Sequence, residues 1–303
     1  MIELRHLTKR FAGRVAVEDL TLTVPRGEIY GLLGHNGAGK STTIGMMLGQ
    51  VWPSGGELRI CGRDVTTDRR RALANVGAIF EAPVFYDYLT GWQNLEMLVN
   101  YTAPVPAARL REVLDWVGLT GREQFKVRTY SHGMRARLAV AQALLPHPEL
   151  LILDEPGNGL DPEGIHEMRH IILRLHRDLG LTILLSSHLL NEVEQLCTRI
   201  AVMNEGRKVF EGAIEDARGR RGWLRLRVGD FKAAIELLAG EKLIVDHRDD
   251  RFVALADGVG SERLVRRMVE SGMPVFEITE HEQTLEEFYL TLMKGNHVVA
   301  PIS

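Results

Sequence analysis

A glycine-rich segment near the start of the chain has the residue types and spacing that suit phosphate binding. It fits the pattern GxxxxGK[ST], follows the apolar run EIYGLL and opens a predicted helix from Ser41 to Leu48. Glycines let successive backbone N–H groups surround phosphate oxygens, and a helix N-terminus adds positive partial charge. Lys40 can then reach the terminal phosphates, and the Ser41 hydroxyl can ligate Mg²⁺. The candidate nucleotide contacts are Gly34, His35, Asn36, Gly37, Ala38, Gly39, Lys40, Ser41 and Thr42.

A pair of adjacent acids is the second candidate for chemistry. The apolar run LLIL is typical of a buried strand and delivers Asp154 and Glu155 at its carboxyl end, where α/β sheets place their ligands. Adjacent side chains on an extended backbone diverge, so the two carboxylates have different tasks. We expect Asp154 to hold Mg²⁺ and Glu155 to orient and deprotonate a water molecule beside the terminal phosphate.

Strand-like and helical segments alternate along the part of the chain that carries these motifs. The start is rich in strand patterns, and a predicted helix over 164–178, the strand LTILLSS, a helix over 191–196 and the strand RIAVMN come later. This alternation favours an α/β domain with a partly parallel sheet. We therefore predict a nucleotide-binding core over residues 1–215.

A helical insert interrupts the predicted core over about residues 83–147. Thr90 and Gln93 have the spacing of a capping box at the start of a helix, and Pro104 and Pro106 then break the chain. A second helical pattern ends just before the strand LLIL.

Residues 216–303 form a smaller predicted α+β domain. It begins near the arginine-rich stretch ARGRRG, which we interpret as a solvated linker, with a membrane-surface or nucleic-acid patch as the alternative. The predicted order is β-α-β-β-α-β followed by an amphipathic helix over 284–293, which favours a split βαβ, ferredoxin-like arrangement. Nothing in this domain suits catalysis, so we expect an accessory role.

Length and composition exclude several classes of protein. With 303 residues, 45% of them hydrophobic and 25% charged, the chain is neither a disulfide-stabilised miniprotein nor disordered. Its net charge of −3 gives no bulk basic field for nucleic acid. Cys61 and Cys197 lack the spacing of metal ligands, and we expect two buried thiols in a cytosolic protein. The sequence has neither a signal-peptide pattern nor the run of about 18 apolar residues that a spanning helix needs.

A third motif gives the sequence a family resemblance. The segment YSHGM, residues 130–134, opens a predicted helix shortly before the acidic strand. With the three motifs in this order, the chain closely resembles the ATP-binding subunits of ABC transporters over about residues 1–215. The resemblance implies a P-loop NTPase core of the ABC type, with ATP and Mg²⁺ as cofactors and ATP hydrolysis as the activity.

The resemblance implies roles for further residues. Phe11 matches an aromatic ring that stacks on adenine, and His188 matches the switch histidine that contacts the γ-phosphate. Ser131 and Gly133 match the signature that contacts ATP held by a partner subunit, and Asp161 matches a D-loop residue that reaches across the dimer. One set of motifs per chain therefore implies a dimer. We expect a homodimer, with a pair of different cassettes as the alternative.

The sequence departs from the family pattern at three positions. Glu81 stands where the family usually has a glutamine that senses Mg²⁺ and water, and we expect Glu81 to contact the metal. His132 and Met134 replace the commonest glycine and glutamine of the signature. These changes and the closing helix TLEEFYLTLM resemble the branch of bacitracin, daunorubicin and lantibiotic export ATPases. The expected catalytic residues are Lys40, Glu81, Glu155 and His188.

Two functions are compatible with this resemblance. The first is an ATPase at the cytoplasmic face of the cell membrane, attached through separate permease subunits and driving transport, with export favoured. Phe85, Tyr86 and Tyr88 then either receive a helix of the membrane subunit or pack within the insert. The second is a soluble ABC-type ATPase acting on ribosomes or DNA. Such relatives usually carry two cassettes or a long coiled-coil insertion, and this sequence has neither, so we expect no nucleic acid partner.

Overall fold

The structure, a computed structural model of the chain, describes residues 1–80, 84–102, 105–218, 223–256, 258–281 and 284–294. It divides into two units, of which the first spans Met1–Ile214 and the second begins at Glu215. Each unit has its own hydrophobic core.

The first unit contains strands of two sheets and the helices between them. Its strands are β1 Ile2–Phe11, β2 Arg14–Val24, β3 Ile29–Leu33, β4 Gly55–Ile60, β5 Arg63–Asp64, β6 Val76–Ile79, β7 Leu150–Asp154, β8 Thr182–Ser187, β9 Arg199–Asn204 and β10 Arg207–Ala213. Its helices are α1 Lys40–Met47, α2 Arg69–Ala72, α3 Gly91–Thr102, α4 Ala107–Trp116, α5 His132–Leu144, α6 Pro162–Leu179 and α7 Leu190–Leu196, and α8 Ile214–Arg218 begins at the boundary between the units.

A six-stranded sheet in the order β10-β9-β3-β8-β7-β6 forms the centre of the first unit. Its neighbouring strands are parallel except β9 and β10. Every residue of β3, β7 and β8 is buried, which explains why most of their residues are apolar. These three strands are adjacent, so the loops after their carboxyl ends meet at one edge of the sheet. The predicted partly parallel sheet is confirmed.

A second sheet, β2-β1-β4-β5, is antiparallel and carries Phe11 at the end of β1. Its apolar residues share one core with α1 and the central sheet, as Leu4, Ile44 and Ile152 illustrate. This shared core fixes the end of β1 relative to the loop between β3 and α1.

Helices α3, α4 and α5 lie between β6 and β7 in the chain and form the predicted helical insert. The predicted capping box is present, because the Thr90 N–H donates to Gln93 Oε1 at 2.9 Å and the Gln93 N–H donates to Thr90 Oγ1 at 3.1 Å.

The sequence did not predict α4, which begins directly after Pro106. A proline suits the N-terminal end of a helix and disrupts only its interior. Pro104 lies outside the described residues.

The second unit is a four-stranded antiparallel sheet with helices. Its elements are β11 Trp223–Val228, α9 Phe231–Gly240, β12 Ile244–Arg248, β13 Phe252–Leu255, α10 Ser261–Glu270, β14 Val275–His281 and α11 Leu285–Lys294. The strand order is β12-β13-β11-β14, and the core contains Leu226 of β11, Leu238 of α9 and Leu264 of α10. The predicted β-α-β-β-α-β order is confirmed, with the split βαβ arrangement that it implies.

The structure corrects the expectation of two buried thiols. Cys197 is buried, but Cys61 is exposed. Cys61 lies in the short turn between β4 and β5, with a φ of 51°. None of the described helices is both long and apolar enough to cross a bilayer.

A substitution at Gly77 of β6 can test how closely α5 packs on the central sheet. A Cβ at this position would overlap the carbonyl oxygen of Ala143 in α5, well inside contact distance. Gly77→Ala should therefore push α5 away and lower the free energy of unfolding by about 1–3 kcal/mol, as measured by urea denaturation. Gly55→Ala on β4 is the matched control, since nothing lies within 4 Å of its added Cβ. Equal stability of both variants would contradict this close packing.

Candidate active site

The loop between β3 and α1 holds the glycine-rich motif in a tight turn. The Ala38 N–H donates to the carbonyl oxygen of His35 at 3.1 Å, and α1, which confirms the predicted helix, begins at Lys40. Gly39 has a φ of 104°, and a Cβ there would lie 2.7 Å from the carbonyl oxygen of Ala16 on β2. Glycine is therefore required at this position by both the backbone conformation and the close approach of β2.

The Lys40 side chain is buried at the start of α1, with 5% of its surface exposed. Its Nζ donates to the carbonyl oxygens of Gly34 at 2.7 Å and His35 at 3.4 Å. It also pairs with Oε1 of Glu155 at 3.2 Å. Because burying an unpaired ammonium group is costly, these oxygens hold the charge inside the loop.

Glu155 lies between two basic side chains. Its Oε1 contacts Lys40, and its Oε2 lies 2.7 Å from Nδ1 of His188. Its backbone has a φ of 49°, which is uncommon for a residue other than glycine, and its N–H donates to Oγ of Ser186 at 2.9 Å. The structure thus brings Lys40, Glu155 and His188, which the sequence assigned to one phosphate group, into direct contact.

Asp154, the other acid of the pair, is buried at the end of β7. Its Oδ1 accepts a hydrogen bond from Oγ of Ser186 at 2.5 Å, and no basic side chain among the described residues forms an ion pair with it. Asp154 and Ser41 line one cavity of about 450 Å³ together with Glu155. A buried carboxylate without a basic partner, beside a hydroxyl group, fits Mg²⁺, which takes few protein ligands and completes its shell with water and substrate phosphate.

A larger, open cavity of about 850 Å³ adjoins the glycine-rich loop. The predicted contacts that line it are Phe11, His35, Asn36, Gly37, Gly39, Lys40, Ser41, Thr42 and Glu155. Phe11 is 46% exposed, and Nζ of Lys9 lies 4.5 Å from the centroid of its ring. Gly34 and Ala38 are buried beneath the loop. The cavity combines an exposed aromatic ring with a cationic loop, which suits a base at one end and phosphates at the other.

Ser131, Gly133 and Asp161 do not line this cavity. Ser131 Oγ accepts a hydrogen bond from the Met134 N–H at 3.2 Å at the start of α5, and Asp161 Oδ1 accepts one from the Gly164 N–H at 2.9 Å at the start of α6. A Cβ on Gly133 would lie 3.9 Å from Cα of Gly164, so the two helix N-termini are neighbours. We call Ser131, Gly133 and Asp161 the signature patch. Two helix N-termini side by side favour an anion.

Sequence analysis missed several residues of the site. The additional residues that line the larger cavity are Arg14, Val15, Ala16, Glu205 and Gly206, which flank the turns of the β1–β2 and β9–β10 hairpins. Ser186, which bonds both acids, was also missed, although the serine pair directly before His188 was a signal. Glu81, the predicted metal-binding acid, lies outside the described residues.

Comparisons with known proteins identify the family. The family model described as ABC transporter matches residues 17–158. The chain is 37% identical to the bacitracin transport ATP-binding protein BcrA of Bacillus licheniformis, over 98% of this chain and 99% of that protein. The chain belongs to the ABC transporter ATP-binding proteins. The family resemblance and ATP hydrolysis, both predicted from the sequence, are confirmed, and the ABC ATPase binds ATP.

Two further similarities agree with this membership. The ABC ATPase is 36% identical to the daunorubicin/doxorubicin resistance ATP-binding protein DrrA of Streptomyces peucetius, over 96% of this chain and 92% of that protein. Among solved structures, it resembles cbiO1 of Clostridium perfringens, described as part of the ABC transporter complex cbiONQ. The TM-score is 0.66 and the identity 26%, over 72% of this chain and 90% of that chain. The predicted P-loop ABC fold is confirmed.

Ser186→Ala tests the hydroxyl that connects the two acids. Its loss removes the hydrogen bond to Asp154 and the acceptor for the Glu155 N–H, so both carboxylates should be less well positioned. We expect ATP turnover to fall about tenfold to a hundredfold, and half-maximal activity to require more Mg²⁺. A Mg²⁺ titration of steady-state ATPase activity measures both effects. Ser187→Ala is the control, since that hydroxyl accepts a hydrogen bond from Leu189 instead. An unchanged Mg²⁺ requirement in Ser186→Ala would exclude this role.

Proposed function

We propose that this ABC ATPase works as a homodimer on the cytoplasmic side of a membrane and drives export through separate permease subunits. The observation that carries the proposal is the contact of Glu155 with Lys40 and His188 beside the nucleotide cavity. Similarity to transport ATP-binding proteins along nearly the whole chain, the second unit included, supports export over a task on ribosomes or DNA. The net charge of −3 is in keeping with the absence of a nucleic acid partner.

In the proposed mechanism, ATP enters the cavity beside Phe11 with its phosphates on the glycine-rich loop. Ser41 and Asp154, and by its sequence position Glu81, would hold Mg²⁺, which would neutralise phosphate charge there. The phosphates compete with the Glu155 carboxylate for Lys40 and His188, because both are anionic acceptors for the same donors. Glu155 is then free to accept the proton of the attacking water, while Lys40 and His188 face the terminal phosphate.

The signature patch is the proposed second half of the site. Ser131 and Asp161 are exposed and lie away from the nucleotide cavity of their own chain, so they are available to a nucleotide held by another. In a symmetric dimer each copy would cover the nucleotide of the other, which fills two equivalent sites. ATP would stabilise the closed pair, and hydrolysis would reopen it.

Three aromatic residues before α3 support a docking site for the permease. Phe85 is buried, whereas Tyr86 and Tyr88 are 49% and 65% exposed, with ring centroids 5.8 Å apart. Their segment is bonded to the loop before the signature patch, since the Arg128 N–H donates to the Asp87 carbonyl oxygen at 3.0 Å. A movement of the tyrosines would therefore be transmitted towards the signature patch.

Glu155→Gln should keep ATP binding, because the amide is nearly isosteric with the carboxylate. It should slow turnover by roughly a hundredfold or more, since the general base is lost. It should also accumulate an ATP-bound dimer, detectable by sedimentation velocity. Glu57→Gln on the exposed surface of β4 is the control and should behave as the wild type. Near-normal turnover in Glu155→Gln would remove that residue from the role of base.

Joint replacement of Tyr86 and Tyr88 by alanine tests docking. Removing two exposed rings should weaken association with the membrane subunits about tenfold or more, while ATP affinity in solution is unchanged. Retention of the ABC ATPase on its tagged membrane subunits in detergent, measured at several salt concentrations, is the readout. Trp52→Ala is the control, because Trp52 is 63% exposed elsewhere in the first unit. Unweakened retention of the tyrosine variant would contradict docking at this surface.

A further inference from the structure

A further acidic side chain, besides Asp154 and Glu155, lies close to the catalytic residues and lacks part of its hydrogen bonding among the described residues. Glu192 belongs to α7, which begins two residues after His188. Its Oε1 is buried and has no hydrogen-bond partner among the described residues. A Cβ on Gly157 would lie 2.8 Å from its Oε2, so the carboxylate packs directly on the backbone two residues after Glu155. Such an orphaned buried oxygen is rare and calls for an explanation.

An arginine near Glu192 also has a buried side-chain nitrogen without a hydrogen-bond partner among the residues described. Arg169 belongs to α6, the helix that Asp161 caps, and its Nε is buried without a hydrogen-bond partner in the described part of the chain. Arg169 and Glu192 line one small cavity together with Gly157. With a volume of about 10 Å³, the cavity has room for at most about one water molecule, so a direct contact between the two side chains would displace little solvent.

Two of the charged groups that affect Glu192 are expected catalytic residues, His188 and Glu155. Burial raises the pKa of the Glu192 carboxyl, the charges of Arg169 and His188 lower it, and the charge of Glu155 raises it. Two groups of opposite charge thus line one small cavity, and each has a buried atom, Oε1 of Glu192 or Nε of Arg169, with no hydrogen-bond partner among the described residues. A pair of this kind stabilises a conformation only when it is made, so it can distinguish two conformations of the protein.

We propose that Glu192 and Arg169 form a salt bridge in the ATP-bound closed dimer and thereby join the segment of His188 to the helix of Asp161. His188 is bonded to Glu155 in this structure, and release of that contact by ATP would free the segment 188–192 to move. Pairing across the cavity then fixes the nucleotide-facing switch and the partner-facing signature patch in one arrangement. Glu192 and Arg169 are positioning residues, and the inference rests on the proposed ATP-driven dimer.

The test is a double-mutant cycle in the Glu155→Gln background, where hydrolysis does not deplete the closed dimer. Glu192→Gln and Arg169→Gln should each raise the ATP concentration for half-maximal dimerisation about tenfold. The double variant should be no worse than either single variant, because the second change removes nothing further. The exchanged pair, Arg169→Glu with Glu192→Arg, should recover part of the loss. Sedimentation velocity across an ATP titration gives all four values.

Three further measurements separate a switch from an ordinary structural contact. The thermal midpoint without nucleotide should not fall in the single variants, because neither Oε1 of Glu192 nor Nε of Arg169 makes a hydrogen bond among the described residues. ATP affinity of the monomer should be unchanged, since neither side chain lines the nucleotide cavity. In the otherwise wild-type enzyme, the variants should raise the KM for ATP more than they lower kcat, because saturating ATP still closes the dimer. Arg177→Gln, which removes an exposed guanidinium from the same helix, is the control.

The outcomes are distinct. Additive effects of the two single changes, or unchanged dimerisation in both, would overturn the salt bridge while leaving the ATP-driven dimer intact. A lower thermal midpoint without nucleotide would assign the two residues to folding instead. Failure of Glu155→Gln itself to dimerise with ATP would overturn the proposed dimer and, with it, this inference.

Discussion

The carboxylate of Glu155 is the point on which the site depends. It lies between Lys40 and His188, so the two basic side chains that would face phosphate are bonded in this structure to the acid that would act as base. This arrangement permits a lysine with 5% of its surface exposed, because a buried ammonium group needs an anionic or carbonyl partner. A triphosphate that took over these donors would free Glu155 in the same step, and this would couple nucleotide binding to catalysis.

The central sheet determines which residues meet. β3, β8 and β7 are adjacent and parallel, so the glycine-rich loop, His188 and the acid pair emerge at one edge. Ser186 at the end of β8 then bonds both acids after β7, which links two neighbouring strands through one hydroxyl. The buried apolar strands give this edge a rigid support, as a site with precise hydrogen bonds requires.

The signature patch lies at the N-termini of α5 and α6, and Gly77 lets α5 approach β6 closely. The segment with the exposed tyrosines is bonded to the loop that precedes α5, so a surface suited to a partner and a site suited to an anion belong to one connected body. Glu192 and Arg169, which line one small cavity, would join this body to the segment of His188 if they pair as proposed.

The sequence by itself determined the motifs, the alternation of strands and helices in the first unit, and the order of elements in the second unit. Local rules sufficed for these, as in the capping box of Thr90 and Gln93 and the continuous apolar strand before Asp154. Only the tertiary structure decided that Glu155 binds Lys40 and His188, that Ser186 joins the acids, and that Arg14 and Gly206 complete the cavity. These contacts join residues far apart in the chain, and their distances depend on strand order and packing, which no local pattern encodes.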